Sequence, residues 1–270
     1  MILALDFTER LFTAQEAARA AGEIHLQGRT AQLTVSRKSH LADLVTQVDQ
    51  EAEEAIRRVI DRRHPGELLL GEESENTFGG QMLQDDCWIV DPLDGTQNFV
   101  FGVPLSCVSV AYVRGGKVQV GVIHDPLHGE TFSAVRGQGA HLNGRQLHVS
   151  TRALLDAPSL LGTGFPRGIK ANSPSLKPFL QIIERGLPIR RLSCAALSLA
   201  YVACGRMDGY WDEKLAAWDT AAGILLIAES GGQVTNMRGD PYVLGGTLLA
   251  SNTLIHEELL TLTRLAVTPD

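Results

Sequence analysis

The stretch Trp88-Ile89-Val90-Asp91-Pro92-Leu93-Asp94-Gly95-Thr96-Gln97-Asn98-Phe99 constrains this chain more than any other. Its apolar, β-branched start, Trp88 to Val90, reads as the end of a buried strand. Two carboxylates, a glycine and a hydroxyl follow at once. Pro92 fixes its own φ and biases Asp91 towards an extended conformation, so the strand is expected to end at Asp91 with that carboxylate held in a defined direction. Asp94 then falls where a helix N-cap would sit, with Gly95 and Thr96 in the first turn. Free N–H groups and the positive end of a helix dipole favour a phosphate there. A dianion beside two carboxylates is repelled unless a divalent cation lies between them. Oxygen-only ligands suit Mg²⁺ or Mn²⁺ rather than zinc. Taken alone, D-x-x-D-G-T is equally an ordinary turn, so the reading rests on its company elsewhere in the chain.

With 270 residues and 44% hydrophobic composition, the chain can bury a large core. No linker, repeat or low-complexity segment divides it, so residues 1–270 are expected to form a single domain. Thirty-one acidic against 24 basic residues give a formal charge of −7. No basic run would track a nucleic-acid backbone, and no direct nucleic-acid substrate is expected. Cys87, Cys107, Cys194 and Cys204 lie in apolar contexts without C-x-x-C spacing, which fits reduced buried thiols better than disulfides or zinc. The start, Met1 to Asp6, lacks the basic region of a signal peptide, and no later run approaches the ~18 apolar residues of a membrane span. A cytoplasmic protein without a membrane partner is the expectation.

Residues 10–27 carry apolar positions at helical spacing and end at Gly28, an amphipathic opening helix whose role is packing. The stretch from Val35 to Asp43 is polar and basic, and Ser36 to Ala42 reads as a mobile flap over a site. Thr46-Gln47-Val48-Asp49 resembles a capping box that opens the next helix. It leaves Asp49 free to serve either the cap or a neighbouring site. Leu68 to Leu70 is a short apolar run that ends in Gly71-Glu72-Glu73, so two adjacent strands ending in carboxylates would build a metal site from separate pieces of sequence. From Ser106 to Val135 the pattern is that of strands, with hairpins at Arg114 to Lys117 and at Asn143-Gly144. The second half alternates strand and helix, and Asp219 falls near a helix N-terminus. Gly137-x-Gly139 lacks the dinucleotide spacing, and no Walker A lysine motif, G-x-S-x-G elbow or H-E-x-x-H occurs. The eight histidines are scattered with no pair at ligand spacing, and only His40 stands near the polar loop's lysine.

Gly71-Glu72-Glu73-Ser74, Asp91-Pro92-Leu93-Asp94-Gly95-Thr96 and Trp218-Asp219-x-Ala221-Ala222-Gly223 together resemble the inositol monophosphatase family of Mg²⁺-dependent, lithium-sensitive phosphatases. The resemblance extends to Lys38, to Asp43-Leu44-Val45-Thr46-x-x-Asp49, to Thr163-Gly164-Phe165-Pro166 and to Ala250-Ser251-Asn252. It implies an α+β, layered α-β-α-β-α sandwich and a homodimer. It also implies that Glu72, Asp91 and the Leu93 carbonyl hold one Mg²⁺, and that Asp91, Asp94 and Asp219 hold a second. Glu72 would help to bind a third ion, with Glu73 in support; Mn²⁺ could replace Mg²⁺. Thr96, hydrogen-bonded to Asp49, would orient the attacking water, and the Gly95 and Thr96 amides would hold phosphate oxygens. Asp94, Ala195, Asp212 and Asp219 complete the implied substrate site.

The chain departs from the family on the substrate side. Ser193-Cys194-Ala195 stands where the family has Gly-Ser/Thr-Ala, Asp212 replaces the usual Glu, Ala217 the usual Pro, and Ser198 a common Asp. None is an implied metal ligand, so hydrolysis should survive while the pocket changes. The reaction implied is hydrolysis of a small phosphomonoester, an inositol or related sugar phosphate, by direct water attack. Fructose-1,6-bisphosphatase, histidinol-phosphatase and 3′-phosphonucleotidase are alternatives within the family. So is a non-catalytic or regulatory member, since some members are linked to the transcription machinery. A structural metal protein is a further class.

Overall fold

The computed structural model describes residues 2–37, 44–74, 86–153, 155, 158–165, 169–173, 175–213 and 215–264. Lys38, His40, Asp43, the tip of the expected flap and Pro166 lie outside the described residues.

The chain opens with α1 (Ile2–Gly28), the short antiparallel strands β1 (Val35–Arg37) and β2 (Leu44–Thr46), and α2 (Gln47–Arg63). The start of the stretch read as a polar loop, Val35–Arg37, is thus paired as a strand with the residues that follow it. Before α2 the expected capping box is formed: Val48 N donates to Thr46 Oγ1 at 3.1 Å, and Thr46 N donates to Asp49 Oδ2 at 2.8 Å.

A seven-stranded sheet follows, built in chain order from β3 (Leu68–Gly71), β4 (Cys87–Asp94), β5 (Cys107–Arg114), β6 (Lys117–Asp125), β7 (Glu130–Val135), β8 (Ala140–Leu142) and β9 (Arg145–Gln146). The short α3 (Thr96–Val100) lies between β4 and β5. Only β3 and β4 pair in parallel; the rest is an antiparallel meander. At Asn143-Gly144 both residues have positive φ, 49° and 80°, as a two-residue hairpin between β8 and β9 requires.

A second sheet has the order β11-β10-β12-β14-β13, from β10 (Leu161–Thr163), β11 (Ile189–Arg190), β12 (Gly209–Asp212), β13 (Gln233–Thr235) and β14 (Leu248–Ser251). The helices of this half are α4 (Leu176–Glu184), α5 (Ala195–Ala203), α6 (Ala217–Glu229) and α7 (His256–Thr263).

Three apolar cores bind these layers. The outer one joins α1 and α2 to one face of the large sheet through Ala17, Ile56, Trp88, Val90 and Tyr112. The central one joins the other face, through Cys87, Ile89 and Ala111, to Leu197 of α5, Leu226 of α6 and Leu248 of the second sheet. The third packs α4 and α7 on that sheet's far side through Ile182, Trp211 and Leu259. The order is therefore α-β-α-β-α, as the resemblance implied. Strand β4 is buried on both faces, which is why its first half, Cys87 to Val90, is an unbroken apolar run and not an alternation. Among the described residues, no helix is long and apolar enough to cross a membrane.

Candidate active site

The site grows from the parallel pair β3 and β4, whose register sets Gly71 opposite Val90 and so brings Glu72 beside Asp91. Two separate runs thereby end with acids at one sheet edge, as expected. The strand does not stop at Asp91, however. It continues to Asp94, with a register shift against β5 between Asp91 and Asp94. Pro92 has no N–H to give the ladder, so the strand bulges and resumes instead of ending. Asp94 is accordingly not the cap of α3. Gly95 is, at φ 91°, and a side chain there would sit 2.7 Å from the Leu105 carbonyl.

Asp94 turns instead to a helix far along the chain. Its Oδ2 accepts from Ala196 N at 2.6 Å, in the first turn of α5. Asp219 is the third residue of α6, not its cap, and its Oδ2 takes Ala216 N at 2.7 Å. Asp91 Oδ1 accepts from Leu93 N at 3.0 Å. Asp91 and Asp94 are buried and Asp219 is half-buried. Burial first, then the charges of Glu72, Asp94 and Asp219, push Asp91 well above the usual carboxylate range. Burial first, then the Asp94 charge, does the same for Asp219. Asp94 is pushed up to about 6 by burial, against the opposing bonds from Ala196 and Cys194. Among the described residues, no lysine or arginine forms an ion pair with Asp91, Asp94 or Asp219.

Thr96 and Asp49 meet as the resemblance implied: Thr96 Oγ1 lies 3.0 Å from Asp49 Oδ1 and 3.1 Å from the Leu93 carbonyl. Asp49 thus serves both roles left open by the sequence, its Oδ2 closing the cap of α2 and its Oδ1 facing Thr96. Burial raises its carboxyl, while the bonds from Thr46 and Thr96 oppose that rise.

Beside the acids lies a cleft of about 170 Å³, lined by Asp94, Gly164, Arg191, Ala195, Asp212 and Asp219 among others. Asp212 is held on both oxygens, by Tyr210 Oη at 2.6 Å and Glu213 N at 2.7 Å, and burial raises its carboxyl to about 6. A side chain at Gly164 would fall 1.8 Å from Asp212 Oδ2, so glycine there makes room for that carboxylate. Ser193, in the place of the family's glycine, has φ 54°.

Sequence reading missed three residues of this region. His25 of α1 is buried and pushed down to about 4 by burial, so its neutral ring donates Nε2–H to the Pro92 carbonyl at 2.8 Å. The opening helix therefore braces the turn between Asp91 and Asp94 as well as packing. Tyr210 precedes Asp212 by two residues on one strand, a period-2 signal that could have paired them. Arg191 belongs to the Arg190-Arg191 pair just before Ser193, and its charge lies close enough to Asp212 to hold that carboxyl down against burial.

The description "Inositol monophosphatase family" matches residues 6–267 of the chain. The chain is 41% identical to the protein named Nus factor SuhB of Pseudomonas aeruginosa, over 92% of this chain and 93% of that one. It is also 41% identical to an inositol-1-monophosphatase of Synechocystis, over 94% and 88% respectively. The solved structure of an extragenic suppressor protein SuhB from Bartonella henselae superposes with a TM-score of 0.87 at 37% identity, covering 94% of this chain and 98% of that one. The chain belongs to the inositol monophosphatase family.

Proposed function

We propose that the chain is a phosphatase that hydrolyses small phosphomonoesters, an inositol monophosphate or a related sugar phosphate, with Mg²⁺ as cofactor. The observation that carries this reading is the cluster of Asp91, Asp94 and Asp219 beside Glu72, in which neighbouring acids raise all three aspartates. Such a cluster is costly to ionise unless a cation joins it. The donors are all oxygens, from Glu72, Asp91, Asp94, Asp219 and the Leu93 carbonyl, and they fit two or three Mg²⁺, or Mn²⁺, ions. When bound, Mg²⁺ supplies a nucleophile at neutral pH, neutralises phosphate charge and stabilises the leaving alkoxide.

The chain's own residues supply the alignment. Thr96 Oγ1 gives its hydrogen to Asp49 or to the Leu93 carbonyl, which leaves its lone pairs to accept from the attacking water. Thr46 in turn fixes Asp49. Holding water and phosphorus in line contributes by positioning alone. The Gly95 and Thr96 amides take phosphate oxygens, while Ala195 at the start of α5 and Asp212 in the cleft meet the alcohol.

The test is phosphate release with and without Mg²⁺ and lithium, across myo-inositol 1-phosphate, fructose 1,6-bisphosphate, histidinol phosphate and 3′-phosphoadenosine 5′-phosphate. Mg²⁺-dependent, lithium-sensitive turnover with a preference for the first is expected. Equal release in EDTA, or none from any substrate, would overturn the reading. A regulatory role is favoured by one observation, the 41% identity to a protein named Nus factor SuhB. It does not compete with catalysis, and a pull-down from lysate that keeps phosphatase activity would support both. A homodimer belongs to the same proposal and is checked by sedimentation of the full chain.

A further inference from the structure

Cys107 and Cys194 are 87 residues apart in the chain, yet their sulfurs lie 3.6 Å from each other, and both are buried. Asp94 stands over the pair: its Oδ2 is 3.2 Å from Cys194 Sγ and 4.0 Å from Cys107 Sγ. Two strands and a helix impose this arrangement. Cys107 is the cross-strand partner of Asp94 on β5, and Cys194 is the cap residue of α5.

Sulfurs at about 2.3 Å and a carboxylate oxygen at about 2.0–2.2 Å from a tetrahedral zinc ion stand about 3.8 Å apart, sulfur to sulfur, and about 3.5 Å apart, sulfur to oxygen. The three separations here fall around those edges. Cys194 and Asp94 also line the cleft, which gives an ion a path in and leaves a fourth position for water. Burial raises both thiols, Cys194 well above the usual thiol range, so an entering ion must displace their protons and binding strengthens as pH rises.

We propose that Cys107, Cys194 and Asp94 form a thiophilic metal site for Zn²⁺ or Cd²⁺, set apart from the oxygen-only Mg²⁺ centre by its two sulfur donors. As each sulfur–metal bond forms, the thiol's proton passes to solvent, and no redox change is involved. Asp94 is shared between the two sites, so occupancy withdraws a carboxylate oxygen from the Mg²⁺ centre and inhibits turnover. That inhibition rests on the Mg²⁺ reading; the binding does not. C-x-x-C spacing could not have revealed the site, because the fold and not the local sequence brings the sulfurs together.

The test uses the reduced full chain with Mg²⁺ in excess, so that the carboxylate centre is filled. Co²⁺ is added as a spectroscopic probe and then displaced by Zn²⁺. Expected are one equivalent of Co²⁺ with thiolate-to-cobalt charge transfer and the strong visible bands of a tetrahedral ion, and displacement by one equivalent of Zn²⁺. Losing a group that merely orients a ligand costs roughly 10–100-fold in metal affinity. Cys107→Ala should therefore lose the charge-transfer band and weaken Zn²⁺ binding by at least about 10-fold. Cys204→Ser should keep both. If Cys107→Ala does not fold, Cys194→Ser serves for the binding arm. Phosphatase activity of the wild type should fall with one equivalent of Zn²⁺, and Cys107→Ala should resist it. Absence of the charge-transfer band, or its persistence in Cys107→Ala and Cys194→Ser, would overturn the site. A band without any phosphatase activity would leave the thiophilic site standing and remove the Mg²⁺ phosphatase reading instead.

Discussion

The ends of β4 and β12 both carry buried aspartates, but the two ends resolve their charge in opposite ways. At β4, Asp91 and Asp94 face further acids, and these neighbouring acids raise the pKa of both. At β12, Asp212 is satisfied from within the chain, by Tyr210, by the Glu213 amide and by the nearby Arg191 charge. Asp91, Asp94 and Asp219 accept backbone N–H groups as well, so what separates the two ends is the set of acids around them. A cluster of carboxylates that repel one another is built to be completed by a cation from outside. On the proposed function, the β4 end carries the chemistry and the β12 end shapes what is admitted to it.

Substitution at the β4 end gives the largest expected effect. Asp94→Asn removes a ligand charge and should lower Mg²⁺-dependent turnover by about 10²-fold or more, since metal charge stabilisation amounts to several kcal/mol and each 1.36 kcal/mol is tenfold. The same variant in EDTA should melt at or above the wild-type temperature, because one repelling charge is gone. A large loss of Tm in EDTA would mean that Asp94 is structural and would erase the contrast with Asp212.

Gly164→Ala tests the β12 end. The new methyl group would meet Asp212 Oδ2, a carboxylate fixed on both oxygens, so overpacking should cost roughly 1–3 kcal/mol. Denaturant unfolding measures this, and Mg²⁺ half-saturation of the folded fraction should not change. If Mg²⁺ affinity falls instead, the two ends are one unit.

Proton linkage sharpens the comparison further. Asp94 and Asp212 have values near 6 in the fold against an ordinary 3.8, so without metal the folded state binds more protons than the unfolded chain between those limits. The stability they contribute is full below the lower value and is lost as pH rises through about 6. Thermal melting in EDTA should therefore be lower at about pH 7.5 than at about pH 5, and Mg²⁺ should raise Tm more at the higher pH. Asp212→Asn should remove only its own share of the slope and leave the Mg²⁺ response intact.

The smallest effect expected is at Ser193. Its left-handed backbone is strained for a residue with a Cβ, so Ser193→Gly should stabilise by a few tenths to about 1 kcal/mol, the gain trimmed by glycine's greater freedom in the unfolded chain. Denaturant midpoints would show it.

The same contrast explains what could be read from the sequence. At the β4 end the chemistry is local: an apolar strand, a proline, two acids, a glycine and a threonine succeed one another, so Asp91, Asp94, Gly95 and Thr96 could be singled out as candidates once Glu72 and Asp219 kept them company. Even there, Asp94 was misplaced as a cap, since nothing nearby signals its bond to Ala196, 102 residues on. Asp49 could be placed in a capping box but not joined to Thr96, 47 residues away. The β12 end is assembled from distant pieces. Gly164 and Asp212 have meaning only together, Arg191 carries no local signature, and only the period-2 spacing of Tyr210 and Asp212 links two of these residues locally. His25 reaches Pro92 across 67 residues, and its helix looked like packing alone. The layer order followed from the family resemblance and not from periodicity, because the central layer of α5 and α6 between two sheets is a tertiary fact.

The most direct single measurement is anomalous diffraction from crystals soaked in Mn²⁺, a stand-in that scatters where Mg²⁺ would bind. Two or more ions contacting Glu72, Asp91, the Leu93 carbonyl, Asp94 and Asp219 are expected, with none at Asp212. Ions bound elsewhere, or a cluster that stays without metal at saturating Mn²⁺, would contradict the assignment of that cluster as the catalytic centre.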